Sequence, residues 1–101
     1  MTEETHVLVI EDGNEYLELL GRFVGGYTYL QAHSGDEAVK YLQAGNVGLI
    51  YLDMCFDRTP RSQLLGDISA MIARHAGNEA RAWRFIERNQ GLFILDHLKA
   101  A

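Results

Sequence analysis

Three carboxylates stand where a short apolar run gives out. Val47-Gly-Leu-Ile-Tyr-Leu52 leads into Asp53, and His6-Val-Leu-Val-Ile10 leads into Glu11 and Asp12. Leu49, Ile50, Tyr51 and Leu52 belong inside a protein; the acids that follow do not. Continuous apolar runs of this length fit parallel strands covered on both faces, and ligands of open α/β sheets sit just beyond the carboxyl ends of such strands. The acids are therefore placed to bind a ligand or a cation. The plainer alternative is a pair of solvated turns, and finding both strands ending on acids favours the chemical reading.

The elements that would hold these acids follow in order. Val7–Ile10 reads as a first strand, broken by Glu11-Asp-Gly-Asn14, with Asn14 available as a helix cap. Tyr16, Leu17, Leu19, Leu20, Phe23 and Val24 recur at helical spacing, and Gly25-Gly26 stops that helix. Tyr27–Ala32 reads as a second strand. Ser34 and Glu37 form a capping box before a helix carrying Ala38, Val39, Tyr41 and Leu42, which ends at Gly45-Asn46. The strand to Leu52 follows. This β-α-β-α-β order with short connections predicts an α/β fold with a parallel sheet and right-handed crossovers.

Beyond Asp53 the pattern changes. Met54–Arg61 contains the only proline, Pro60, and reads as loop. Ser62 is expected to cap a helix with the stripe Leu64, Leu65, Ile68, Met71 and Ile72, which could pack as core or as a dimer face. Ala76-Gly-Asn78 breaks it. Glu79–Arg88 is a further helix, with Trp83 and Phe85 as possible interface anchors and Arg81, Arg84 and Arg88 on its wet side. Leu92–Leu98 makes another helical segment.

The chain has 101 residues, enough for one domain with a modest core. Its net charge of −5 argues against a general nucleic-acid binder. Residues 1–57 hold ten acids against two bases, a balance of −8, and residues 58–101 hold seven bases against four acids, a balance of +3. Two parts that differ in role, or that meet, are implied. Cys55 is the only cysteine, so no disulfide framework exists; it reads as a packed small residue. The four histidines show no metal spacing. The acidic start Met1-Thr-Glu-Glu4 is unlike a signal peptide, and no apolar stretch approaches membrane-spanning length. A cytoplasmic protein is expected.

The first half resembles the receiver domain of bacterial response regulators. The likeness is carried by Val7-Leu-Val-Ile-Glu-Asp12, Ala32-His-Ser-Gly-Asp-Glu-Ala38 and Leu49-Ile-Tyr-Leu-Asp53, and Gly91-Leu-Phe-Ile-Leu-Asp-His-Leu-Lys99 resembles the family's third helix. The resemblance implies a flavodoxin-like, receiver-like sheet with strands in the order 2-1-3. It implies a single domain: a β-α-β-α-β core over 1–56, a helical insertion over 57–90 and a third-helix-like segment over 91–101. Asp53 would be the phosphoacceptor, with Mg²⁺ held by Glu11, Asp12, Asp53 and the backbone carbonyl of Cys55. Clustered carboxylates repel, and a hard divalent cation relieves that. A histidine kinase or phosphotransfer protein would be the partner in this two-component phosphorelay, and phosphoaspartate would bias a two-state surface.

The departures are the insertion and the absence of matches to the family's switch Ser or Thr and its phosphate-binding Lys; Thr59 and Lys99 do not stand at those positions. The third strand's outer edge is expected to be bare, so that the chain is either a fragment, or is completed by another chain or a homo-oligomer, or covers the gap with its insertion helices. A second reading is thus a phosphorylation-independent pseudo-receiver that binds a partner through the insertion. A Mg²⁺-dependent phosphatase-like enzyme fits less well, because Cys55 stands where its second Asp would be, so no enzyme activity is expected, nor binding to nucleic acid or membrane.

Overall fold

A computed structural model describes residues 6–100 of the chain. The acidic stretch at residues 1–4 and Ala101 lie outside the described residues. Three parallel strands, β1 (His6–Ile10), β2 (Thr28–Ala32) and β3 (Val47–Leu52), form one sheet in the order β2-β1-β3. Helices α1 (Glu15–Phe23) and α2 (Gly35–Ala44) connect them. α3 (Ile68–Arg74), α4 (Glu79–Arg88) and α5 (Gln90–Ala100) follow, after a single 3₁₀ turn at Arg61–Gln63. The chain is thus α/β with the expected strand order, and no helix among the described residues is long and apolar enough to cross a membrane.

The strand order decides the layers. Right-handed crossovers that run in opposite directions from β1 place α1 and α2 on opposite faces. On the α2 face, Leu8, Ile10, Ala32, Ala38, Phe56 and Ile94 form the core, with Leu42, Leu52, Leu65 and Leu98 packed against it. α5 joins α2 there, and His97 Nε2 lies 3.2 Å from Asp36 Oδ1 between the two helices. α2 begins as its sequence predicts: Ser34 Oγ accepts the Glu37 N–H at 3.2 Å, and Glu37 Oε2 reaches back to the His33 N–H at 2.7 Å. These bonds occupy backbone donors that the first helical turn leaves unpaired.

The other face is thinly covered. α1 has no buried residue. Leu19, Phe23 and Val24, expected to face inward, are exposed, Phe23 at 73%. β3 departs furthest from its sequence reading. Leu49, Ile50 and Tyr51 belonged inside on that reading, yet Leu49 is 58% exposed and β1 is the strand's only neighbour in the sheet. A continuous apolar run is buried only where helices lie on both sides, and here α1 alone serves one side. β3 also carries one extra residue, Gly48, opposite the His6–Val7 step. Such a bulge rotates the strand that follows it.

The second half contains the expected helices, with different starts. The segment through Leu64 and Leu65 is extended, and α3 is capped by Asp67, whose Oδ1 accepts the Ala70 N–H at 3.1 Å, rather than by Ser62. Gly66 explains the shift: its φ of +127° ends any earlier helix, and a Cβ there would meet the Phe93 ring at 3.2 Å. Met71, Ala82 and Ile86 make a separate small core with Ile68, Ile72, Trp83 and Phe93. The Leu64–Ile72 stripe is therefore largely spent within the α3–α4 hairpin. Trp83 packs in this core under the Arg61 guanidinium, 5.1 Å from its ring centroid.

One buried polar side chain joins the hairpin to the rest. Gln90 is 2% exposed. Its Oε1 accepts the Leu65 N–H at 2.8 Å and its Nε2 donates to the Leu65 carbonyl at 2.9 Å, as a neighbouring strand would. Gln90→Leu strands both backbone groups away from water. It is expected to cost about 2–4 kcal/mol, at roughly 1–3 kcal/mol for each unsatisfied group less some relaxation, read as a lower midpoint in urea unfolding with an unchanged slope.

Candidate functional site

The sheet continues past its strand ends far enough to fix the acids. The Glu11 N–H donates to the Ala32 carbonyl at 3.1 Å, and the Asp53 N–H donates to the Ile10 carbonyl at 2.9 Å. Asp12 and Asp53 therefore stand beyond the carboxyl ends of two adjacent parallel strands, at the position where open α/β sheets bind ligands. They line one open concavity of about 280 Å³ together with Glu15, Tyr16, Cys55, Asp57 and Arg58.

Glu11 is not among the lining residues. It is 1% exposed, and its two carboxylate oxygens accept the N–H groups of Tyr16 (3.0 Å) and Leu17 (2.8 Å). This carboxylate caps α1, the task that the sequence suggested for Asn14, whose side chain makes no capping bond. An anion at a helix N-terminus meets both unpaired donors and the positive end of the helix dipole. The turn behind it is held by Gln31 Nε2 on the Gly13 carbonyl (2.9 Å) and by the His33 ring on the Glu11 carbonyl (3.0 Å).

The loop after β3 closes one side of the concavity. Asp12 Oδ2 accepts the Arg58 N–H at 2.7 Å, and the Arg58 guanidinium pairs with Glu15. That pair holds the Glu15 carboxyl below its usual range and raises Arg58 further. The loop is tied at its other end as well. The Phe56 N–H donates to the Glu87 carbonyl at 2.8 Å, and the Gly91 N–H to the Met54 carbonyl at 3.0 Å. Gly91 is required by this approach, since a Cβ there would come within 2.6 Å of the Asp53 carbonyl oxygen.

Asp53 holds its proton more tightly than a free aspartate. Burial is the main cause, and the charges of Asp12 and Glu11 add to it, against hydrogen bonds from the Cys55 and Met54 N–H groups. The Asp53 charge in turn is the largest influence raising the Tyr16 phenol, whose ring lies 5.2 Å from that of Tyr51. Burial, with Asp57, Asp53 and Asp12, pushes the Cys55 thiol up, away from the thiolate that a nucleophile needs. Glu15, Tyr16, Asp57 and Arg58 are the lining residues that the sequence reading did not assign to the site. Arg58 and Asp12 are 46 positions apart, and only the folded loop joins them.

A divalent cation can be tested against this geometry. Asp12 and Asp53 supply two hard oxygen donors on one concavity. Glu11 sits behind them with both oxygens engaged. Among the described residues, no group of three His, Cys, Asp or Glu side chains converges in metal-holding geometry. A cation here would rest on two carboxylates completed by backbone oxygen and water, a sparse set of the kind that Mg²⁺ accepts.

The Asp53 shift has a consequence for stability. The folded chain binds this proton more tightly than the unfolded one, so stability falls as pH rises through the interval between the ordinary aspartate value and the raised one. Above that interval Asp53→Asn should be more stable than the parent. Below it, with the parent carboxyl neutral, the two should converge. Thermal unfolding across the carboxylate range checks this; an Asn variant less stable at neutral pH would contradict it. Gly91→Ala should push α5 off the Asp53 carbonyl and cost about 1–3 kcal/mol, the usual range for overpacking.

No family model, curated protein or solved structure matches the chain.

Proposed function

We propose that the chain is a receiver-like, flavodoxin-type signalling module that accepts a phosphoryl group on Asp53 from a histidine kinase or phosphotransfer protein. The observation that carries this reading is the placing of Asp12 and Asp53 on one concavity beyond adjacent parallel strands. In the reaction an Asp53 oxygen attacks the phosphorus of phosphohistidine. A P–O bond forms, the P–N bond breaks, and the imidazole leaves and takes up a proton. Mg²⁺, when bound by Asp12, Asp53 and the Cys55 carbonyl, would neutralise charge on the phosphoryl oxygens. Glu11 serves by fixing α1 and the Asp12 turn.

Neither Thr59 nor Lys99 lines the concavity, whereas Arg58 does. Arg58 is thus the cation available to face phosphoryl oxygens, after exchanging Glu15 for them. With Mg²⁺ present, beryllofluoride is expected to shift the amide resonances of Asp53, Met54 and Arg58, and Asp53→Asn to abolish the change. No response in the parent chain would overturn the proposal.

A second reading is favoured by the Arg58–Glu15 pair and by Glu11's engagement. A cation already lies among the acids, so the fold could serve as a pseudo-receiver that binds partners without phosphorylation. On that reading Asp53→Ala leaves partner binding unchanged, and beryllofluoride gives no shift.

A further inference from the structure

We propose that the α3–α4 hairpin carries a binding site for a diphosphate-bearing ligand, held by Arg81, Arg84 and Arg88. The site is separate from the acids at the strand ends and does not rest on phosphoryl transfer to Asp53. The three arginines line one concavity of about 520 Å³ with His75, Phe85 and Asn89, within the size range of small-molecule sites. No acid is among these lining residues. At 3.6 residues per turn, the three arginines fall on one face of α4, within an arc of about 60°.

Their charge is unanswered within the chain. All three are exposed, and among the described residues none stands within ion-pair distance of a carboxylate, whereas Arg58 pairs with Glu15 and Arg61 with Glu87. The chain has fourteen acids and a net charge of −5, so carboxylates are plentiful and lie elsewhere. Like charges three and four positions apart on a helix repel, which sets Arg81 against Arg84 and Arg84 against Arg88. Arg81 also stands in the first turn of α4, where the helix dipole disfavours a cation. A bound anion relieves both.

A merely solvated helix face would carry the cations alone; this one has fixed walls. His75 Nδ1 donates to the Met71 carbonyl at 2.8 Å, which leaves Nε2 as the ring nitrogen for a ligand. Asn89 Nδ2 donates to the Phe85 carbonyl at 3.0 Å. The Phe85 ring is 38% exposed, with the His75 ring tilted against it at 5.6 Å and Phe93 edge-on behind it at 6.5 Å. Guanidinium forks match phosphate oxygens. Successive arginines here are about 5–6 Å apart along the helix axis, wider than one phosphoryl group and spanned by two joined ones. An organic group attached to the diphosphate can lie on the Phe85 ring. An acidic protein segment fits less well, because the cations occupy two turns of one helix around a concavity instead of an extended strip.

Calorimetric titration of the full 101-residue chain with pyrophosphate and with ADP, in EDTA, tests this. Both should bind at one site per chain, more weakly as salt rises. Arg84→Gln should weaken both by about tenfold or more, the loss of one charged hydrogen-bond donor, with unchanged far-ultraviolet circular dichroism. Lys40→Gln removes the same charge from α2 and should bind as the parent does. The amide resonances of His75 and of residues 81–89 should move on binding, and those of residues 11–13 should not. Phe85→Leu separates the two sources of the anion: a loss confined to ADP marks an organic diphosphate, and equal affinities for ADP and pyrophosphate in both chains mark the inorganic one. No binding of either anion, an equal loss in Lys40→Gln, inorganic phosphate bound as tightly as pyrophosphate, or a glutamate-rich peptide bound more tightly than either would each overturn the proposal.

Discussion

A buried carboxylate at the end of the central strand sets the geometry on which the site depends. Glu11 is out of contact with water, yet it accepts two backbone N–H groups at the start of α1. A buried carboxyl group is tolerated only when such donors meet its oxygens. The bonds fix where α1 begins and hence where Tyr16 stands. They also force the chain to turn directly after Glu11, which turns Asp12 outward towards Asp53. One acid of the pair thereby acts as scaffold, leaving its neighbour for the concavity.

A second constraint is that the sheet has only three strands. Opposite crossovers spread helices over both faces, but α2 and α5 take one face while α1 has the other to itself. The larger core consequently lies on one side, in Leu8, Ile10, Phe56 and Ile94, while Val7 and Val9 of β1 are buried on the other. The α3–α4 hairpin adds its own small core instead of thickening the first. The result is extended, 56 × 27 × 17 Å, with a radius of gyration of 15.3 Å against about 13 Å for a compact chain of this length.

The sequence displays what repeats locally. β3 begins and ends at the expected residues, the Ser34–Glu37 box caps α2, and Glu79–Arg88 is helical because its apolar and charged positions alternate at one period. It does not display what depends on partners distant in the chain. Leu49 and Tyr51 look like interior residues, and their exposure follows from how little lies over them. Ser62 and Asp67 are equally good caps in isolation; Gly66 and the Phe93 ring decide between them. Gln90 reads as part of a polar break between two helices, and its role exists only because Leu65 passes in front of it. At the site, the acids are legible because a strand ending on an acid is a local pattern. Arg58 is not, since its partners Asp12 and Glu15 precede it by more than forty residues.

The loop after Asp53 has no slack. Met54 is tied to Gly91 and Phe56 to Glu87 by backbone hydrogen bonds, and Gly91 touches the Asp53 carbonyl without room for a methyl group. Gln90, one residue earlier, clasps Leu65 at the root of the hairpin. Asp53 is therefore held against the second half of the molecule at two points, the end of α4 and the start of α5, by a loop that spans only three residues.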